Sequence, residues 1–370
     1  ASDDDGDGWA LYLEVRAGTD PTLTNDAPAY GMGLASLSGA SNHVWDYQGD
    51  LIGWGANGDG QLGRGTDAAT PIAVDVPLDA VIAGALDEHS LVLRSTGELL
   101  AVGDNDKAQT SRPDSPEELT VAAVSGLENG QPVPFNVIDV AASEFGAYAV
   151  GAGGQLWVWG GNGFDQFGDP SADPTFSPTP RRVPIIDGKG QYIAIADVEA
   201  GDLFAFAQTV DGRLFGWGAN GAGQIGTGGF LAVESPTEVT IAATTASLAL
   251  GGQHALMVDT DGNLWSWGQN QFSQLGRTGS PSLPAQVAFP GGKVVKVAAG
   301  AQHSLALTED NLVYAWGANT NGQVGAGGAQ EYATPQLVPG LSDIIDIQAG
   351  AFHSLALRAD GKAFAWGRNA

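Results

Sequence analysis

The residues best placed to do chemistry stand at the front of the chain, in the run Asp3-Asp4-Asp5-Gly6-Asp7-Gly8-Trp9-Ala10-Leu11-Tyr12-Leu13-Glu14. Counted from Asp3, carboxylates fall at positions 1, 3, 5 and 12 and a glycine at 6, which is the spacing of a calcium loop. A hard dication takes about six to eight oxygen ligands, needs a sharp turn at the glycine, and is closed by a carboxylate that binds through both oxygens. The expected ligands are Asp3, Asp5, Asp7, the Trp9 carbonyl and Glu14, and the expected cofactor is calcium. Position 9 of the loop is Leu11, which offers no side-chain oxygen. The alternatives are a solvated acidic tail and a degenerate repeat segment, since Gly18-Thr19-Asp20 recurs as Gly65-Thr66-Asp67.

The histidines are the next candidates. His89, His254, His303 and His353 each open an apolar run, as in His303-Ser304-Leu305-Ala306-Leu307, and His43 lies near a fifth such place. Equivalent positions in separate units cannot share one metal, so the expected role is structural: a ring held by hydrogen bonds within its own unit. Two segments, Gly58 to Gly63 and Gly221 to Gly226, fit Gly-x-Gly-x-x-Gly. A dinucleotide site needs that turn to open a helix, whereas Pro-containing strand segments follow here. No Gly-x-Ser-x-Gly, His-Glu-x-x-His or Walker sequence is present. No pair of carboxylates stands out for acid–base work in so acidic a chain, and no catalytic residue is assigned.

Composition narrows the classes further. The formal net charge of −27 repels phosphate backbones and anionic lipids, so nucleic acid and membrane surfaces are not expected partners. No run of apolar residues is long enough to insert in a bilayer. Cysteine is absent, which removes disulfides, thiol nucleophiles and Cys-based zinc sites. Glycine, at 55 of 370 residues, lacks the every-third-residue register of collagen and is accompanied by plentiful apolar residues.

The elements that must position these residues are written as a repeat. Trp-Gly-x-Asn recurs at Trp54, Trp159, Trp217, Trp267, Trp316 and Trp366, and Val102-Gly103-Asp104-Asn105 is a seventh copy without its tryptophan. Successive copies are 48, 57, 58, 50, 49 and 50 residues apart. The His-led run stands 13 residues earlier in the best copies, a small-residue step such as Ala298-Ala299-Gly300 precedes it, and a Gln-x-Gly turn follows. Period-two alternation in the His-led run, an Asp-Gly turn and a second alternating run such as Leu264-Trp265-Ser266-Trp267 predict a β-hairpin in each unit. Units of about 50 residues with several strands fit propeller blades. Small residues then belong at the crowded axis and the tryptophans between sheets.

The combined signature resembles the regulator of chromosome condensation repeat family over roughly residues 35–370. The resemblance implies an all-β, seven-bladed β-propeller with four-stranded antiparallel blades, occupying residues 27–370 after an acidic calcium-binding segment at 1–26. The His position is Gly146 in the third unit and Phe204 in the fourth. The family closes its ring by pairing chain ends, which assigns the missing part of the last blade to the N-terminal region around Ala27-Pro28-Ala29-Tyr30. The acidic loop resembles the calcium repeats of thrombospondin type 3 and of bacterial secreted proteins.

The second and third intervals carry roughly eight extra residues each, between Asp104 and Phe135 and between Asn162 and Tyr192, the latter including Arg181 and Arg182. Loops on a rigid scaffold are the usual carriers of binding. The functional expectation is a non-enzymatic, monomeric, secreted or surface-exposed bacterial module that binds another protein. The rival functions are a secreted enzyme inhibitor, a nucleotide-exchange factor for a small GTPase, which is the activity of the family's founder, and a polysaccharide-acting enzyme.

Overall fold

The computed structural model describes the strand backbones between residues 33 and 86 and, apart from breaks at 95, 112–116, 125, 129–130, 134–135 and 172–174, residues 89–368. The expected calcium ligands and the segment Ala27 to Tyr30 lie outside the described residues.

Every described element is a strand. Seven antiparallel sheets follow one another along the chain, six of four strands and a last one of three, joined by a two-stranded hairpin at Gly126–Glu128 and Gln131–Val133. We refer to the sheets as blades 1 to 7. Blade 6 shows the plan: Val294–Ala299, His303–Thr308, Val313–Ala318 and Glu331–Leu337, each paired with the next. The first strands touch their counterparts in neighbouring blades, and Gly33–Leu34 of blade 1 touches Ile344–Ala349 and His353–Arg358 of blade 7, which closes the circle. The seven-bladed propeller expected from the repeat is the fold. The seventh blade has three strands among the described residues.

Closure depends on small residues at the axis. A Cβ on Gly251 would lie 2.3 Å from the Gly300 carbonyl oxygen, and one on Gly300 would lie 2.5 Å from that of Gly350. No side chain fits there, which is why the step before the His-led strand ends in glycine.

Between blades lies the core. Trp159, Trp217, Trp267 and Trp316 are fully buried, each packed with apolar residues of its own and the adjoining blade. The full signatures of blades 3 to 6 are also self-closing loops. In blade 6 the Asn319 Oδ1 accepts from the Val324 N–H at 2.9 Å, and the Gln323 Oε1 accepts from the Asn321 N–H at 2.9 Å. Gly221 to Gly226 is the same loop in blade 4, with Asn220 and Gln224 in those roles, so it is a repeat turn and opens no helix.

Strand register fixes where His43 stands. Where His303 pairs with Gly317, the corresponding pairing in blade 1 is Ser41 with Gly55, and His43 pairs with Gly53. His43 therefore stands two residues beyond the repeat position.

Candidate functional sites

The repeat histidines come first, because two of them face a serine at the distance of a nucleophile–base pair. His254 Nε2 lies 3.0 Å from Ser304 Oγ, and His303 Nε2 lies 2.9 Å from Ser354 Oγ. These contacts run from one blade to the next, not within a blade as the sequence suggested. Ser304 Oγ donates to the Gln274 carbonyl at 2.7 Å, and Ser354 Oγ donates to the Gln323 carbonyl at 2.9 Å. A hydroxyl has one hydrogen, so each serine accepts from its histidine, and the imidazole carries its proton on Nε2. A general base would need the opposite polarity. The Nδ1 atoms of His254 and His303 are buried and unpartnered, so no carboxylate orients either ring. Burial holds the two rings at a pKa of about 3, and for His303 the neighbouring His254 and His353 depress it further. All four atoms of the two pairs are out of reach of solvent. The arrangement locks blades together and does no acid–base chemistry.

The same carbonyls take a second donor. Trp316 Nε1 donates to the Gln274 carbonyl and Trp366 Nε1 to the Gln323 carbonyl, both at 2.8 Å. Trp159, Trp217 and Trp267 donate likewise to the carbonyls of Gln109, Gln166 and Gln224 in the preceding blades. The signature tryptophans are thus blade core with a polar handle, and offer no stacking platform to a ligand.

The loops tell a different story. Both extra stretches lie in the connection that leaves the fourth strand, on one face of the ring and in adjacent blades. In blade 2 the connection folds into the hairpin whose strand Gly126–Glu128 lies against Phe176–Arg182 of blade 3. In blade 3 it forms a short hairpin of its own, bridged between Ile186 and Tyr192 and turned by the Gly190 N–H bonding to the Asp187 carbonyl at 3.0 Å. The Asp187 carboxylate accepts from the Lys189 and Gln191 N–H groups and fixes that turn.

Arg181 and Arg182 do not form one cationic spot. Successive strand residues point to opposite faces. Arg181 approaches Asp169 at 3.8 Å and lies over the Phe167 ring, while Arg182 lays its guanidinium carbon 3.5 Å from the centre of the Tyr192 ring. Ile186 and Tyr192 are each 49 % exposed. The Val210 N–H bonds to the Ala194 carbonyl at 3.0 Å, which sets Val210, 71 % exposed, beside the end of the same connection. The result is an apolar surface with a stacked guanidinium, held by ordered turns on a rigid ring. No group of His, Asp and Glu residues suited to a metal occurs among the described residues.

Comparison with known proteins agrees with this geometry. The sequence profile of the RCC1-like domain matches residues 128–370. The mitochondrial RCC1 domain-containing protein RUG3 of Arabidopsis thaliana is 29% identical over 242 residues, covering 63% of this chain and 53% of that protein. The chain therefore spans about half the length of this relative. Among solved structures, human WBSCR16 superposes with a TM-score of 0.76 at 23% identity, over 86% of this chain and 88% of that one. Yeast RCC1 (Prp20), in its complex with Kap60, gives a TM-score of 0.74 at 21% identity, over 90% and 80% of the two chains.

Proposed function

From the premise that the chain belongs to the RCC1-like domain family, we propose that it is a protein-binding module with no catalytic chemistry of its own, and that it binds through the face carrying the two long connections. The observation that carries this reading is the surface of Arg182, Ile186, Tyr192 and Val210 built onto that face. Tyrosine and arginine are the side chains that most often dominate protein–protein affinity, because each combines large contact area with directed polar groups. Here the stack of Arg182 on Tyr192 orients both before a partner arrives, which lowers the entropy lost on binding. Among the structural neighbours, yeast RCC1 (Prp20) is bound to Kap60 in one structure, and Prp20p of Saccharomyces cerevisiae is described with binding to Gsp1p and histones in another.

The same reading places the protein outside the cell or on its surface, with calcium bound by Asp3, Asp5, Asp7, the Trp9 carbonyl and Glu14. It rests on the loop spacing and on the acidic surface. A nucleotide-exchange activity towards a small GTPase is the second reading, favoured by family membership alone.

The experiment is capture of partners by the parent chain and by Tyr192→Ala, followed by titration of the purified partner. A loss of affinity of tenfold or more in Tyr192→Ala, with the melting temperature unchanged, is expected. Undiminished affinity in both Tyr192→Ala and Arg182→Ala rules this face out. Accelerated nucleotide release from a GTPase, at parent rates in both variants, replaces the reading with the second one.

A further inference from the structure

The opposite face carries a feature that the binding surface above does not use. There the signature asparagines clamp the loops that join third to fourth strands. Asn319 Nδ2 donates to the Gly327 and Ala329 carbonyls at 3.0 and 2.7 Å. Asn220 Nδ2 does the same in blade 4, to Gly229 and Leu231 at 3.2 and 3.0 Å. The residue held between the clamped carbonyls is Gly328 in one case and Phe230 in the other. One clamp thus presents a bare backbone, and its counterpart presents Phe-Leu.

Phe230 is 52 % exposed and Leu231 86 % exposed. The Gly228 N–H bonds to the Ser282 carbonyl of blade 5 at 2.8 Å, and Leu283, 50 % exposed, packs beside Gly228. Three large exposed apolar side chains from two blades therefore stand around one pinned turn, and we refer to them as the knob. Its backbone is pinned by a side-chain clamp below and by the neighbouring blade at the side. No charged residue occurs in 226–233 or in 278–286, on a chain of net charge −27. The guanidinium of Arg277 is spent on internal carbonyls, those of Ser266 and Leu283 among them.

We propose that Phe230, Leu231 and Leu283 form a second docking point, an anchor that inserts into a concave, uncharged, apolar pocket of a partner protein. Shape and area select this occupant. The exposed part of the knob amounts to about 300–400 Å², against about 800 Å² per partner in a standard interface, so two knobs meeting face to face make no stable dimer. A protruding leucine gains most by burial in a pocket, and the clamp has already removed the loop entropy that binding would otherwise cost. A membrane is the poorer match, because interfacial insertion draws on basic residues that neither loop supplies and the acidic body is repelled by anionic lipid.

The test places the photo-crosslinker p-benzoylphenylalanine at position 231 of the full chain in extract of the source cells. The crosslinked protein is then identified, purified and titrated with the parent, Leu231→Asp, Asn220→Ala and Tyr192→Ala. The knob predicts a loss of about ten- to a hundredfold in Leu231→Asp, the worth of one buried leucine. It predicts a smaller loss in Asn220→Ala, where the side chains remain but the clamp is gone, and a partner whose crosslinked peptide lines an apolar pocket. Tyr192→Ala, on the opposite face, separates the two docking points: failure there alone leaves this one standing. Four outcomes overturn the proposal: affinity that ignores Leu231→Asp, no crosslinked protein, a crosslink joining two copies of this chain, or co-sedimentation with phosphatidylcholine vesicles that Leu231→Asp abolishes.

Discussion

The junction between blades 6 and 7 and the junction between blades 2 and 3 begin with the same residue and end differently. At the first, His303 meets Ser354, and the serine hydroxyl donates a hydrogen bond to the Gln323 carbonyl. At the second, His89 is fully buried and neither ring nitrogen has a side-chain partner; the Gly146 backbone is the one group that favours its protonated form. The position that holds serine in blade 7 holds Ala147 in blade 3, as the shared pairing with the signature tryptophan shows. Blade 4 meets blade 5 by a third solution: Phe204 at the histidine position and Ala255 at the serine position, with Phe204 packed edge-on to Phe206 and Phe206 to Trp267. Blade 3 has Gly146 where the histidine would stand, and its Tyr148 donates to the Gln166 carbonyl at 3.3 Å, the kind of carbonyl the serine serves elsewhere. What matters is the match across the junction, polar with polar or apolar with apolar. His89 with Ala147 is mismatched.

The comparison breaks first under acid. Burial lowers the pKa of His89 to about 4 and of His254 and His303 to about 3, and it lowers that of His353 too. For His89 the Gly146 backbone offsets part of the effect. The unfolded chain takes up these protons as pH falls through about 6.5, while the folded chain refuses them until the folded values are reached. Stability is therefore intact above about pH 6.5 and is lost as pH falls below it. At pH 5 each of His89, His254 and His303 costs about 2 kcal/mol, about 6 kcal/mol together. Urea unfolding at pH 7.5 and pH 5 measures this. In the variant His89→Phe, which copies the apolar solution of blade 4, the acid loss shrinks by about 2 kcal/mol. An acid loss of the same size in the parent and in His89→Phe means that this ring is charged or solvated in the fold.

Substitutions at the matched junction come next. His303→Ala is expected to lower stability by about 3 kcal/mol, through the lost bond and the space left behind. Ser354→Ala removes less, about 1–2 kcal/mol, by leaving the His303 Nε2–H buried without an acceptor. Neither is expected to change partner binding at temperatures where the variant stays folded, since both sites lie away from the exposed faces. A loss of binding or turnover at unchanged stability reverses the structural assignment. The smallest effect is a gain: Ala147→Ser supplies His89 with the missing hydroxyl, for about 1 kcal/mol. The site already accommodates serine in blades 6 and 7, opposite the same tryptophan. An equal or lower melting temperature in Ala147→Ser shows that the pocket cannot take the extra atom.

Calcium supplies a separate check. If Asp3, Asp5, Asp7, Trp9 and Glu14 hold the ion, Glu14→Gln removes most of the affinity read by titration calorimetry, and Asp4→Asn little. Equal affinity in all three proteins, or none in the parent at millimolar calcium, identifies an acidic tail.

Much of this was legible in the sequence. The spacing of Trp-Gly-x-Asn set the number of units, and period two with Asp-Gly turns set the strand type, because both are local signals. The glycine step at Gly300 pointed to the axis for the reason the structure gives, a carbonyl too close for any side chain. The histidine's partner was not legible. It lies about 50 residues away in the next unit, and periodicity places equivalent residues without telling which units touch. The exact offset of His43 was not legible for a related reason: only pairing fixes the register, and it gives the repeat position to Ser41. The lengths of the second and third units revealed that residues were added, but not that both additions leave the fourth strand on one face. The Phe230–Leu231 knob escaped notice because its signal is a departure inside a loop that is otherwise polar or small, and exposure decides its meaning.

The central claim is that the histidine and serine of adjacent blades act as one link, and that the link is a property of the pair. A double-mutant cycle on His303 and Ser354, by equilibrium unfolding in urea at pH 7.5, measures it most directly. The link predicts a coupling of about 1–2 kcal/mol between His303→Ala and Ser354→Ala, and it predicts that the gain of about 1 kcal/mol from Ala147→Ser disappears when His89 is replaced by phenylalanine. Additive losses at His303 and Ser354, with no coupling, contradict the account.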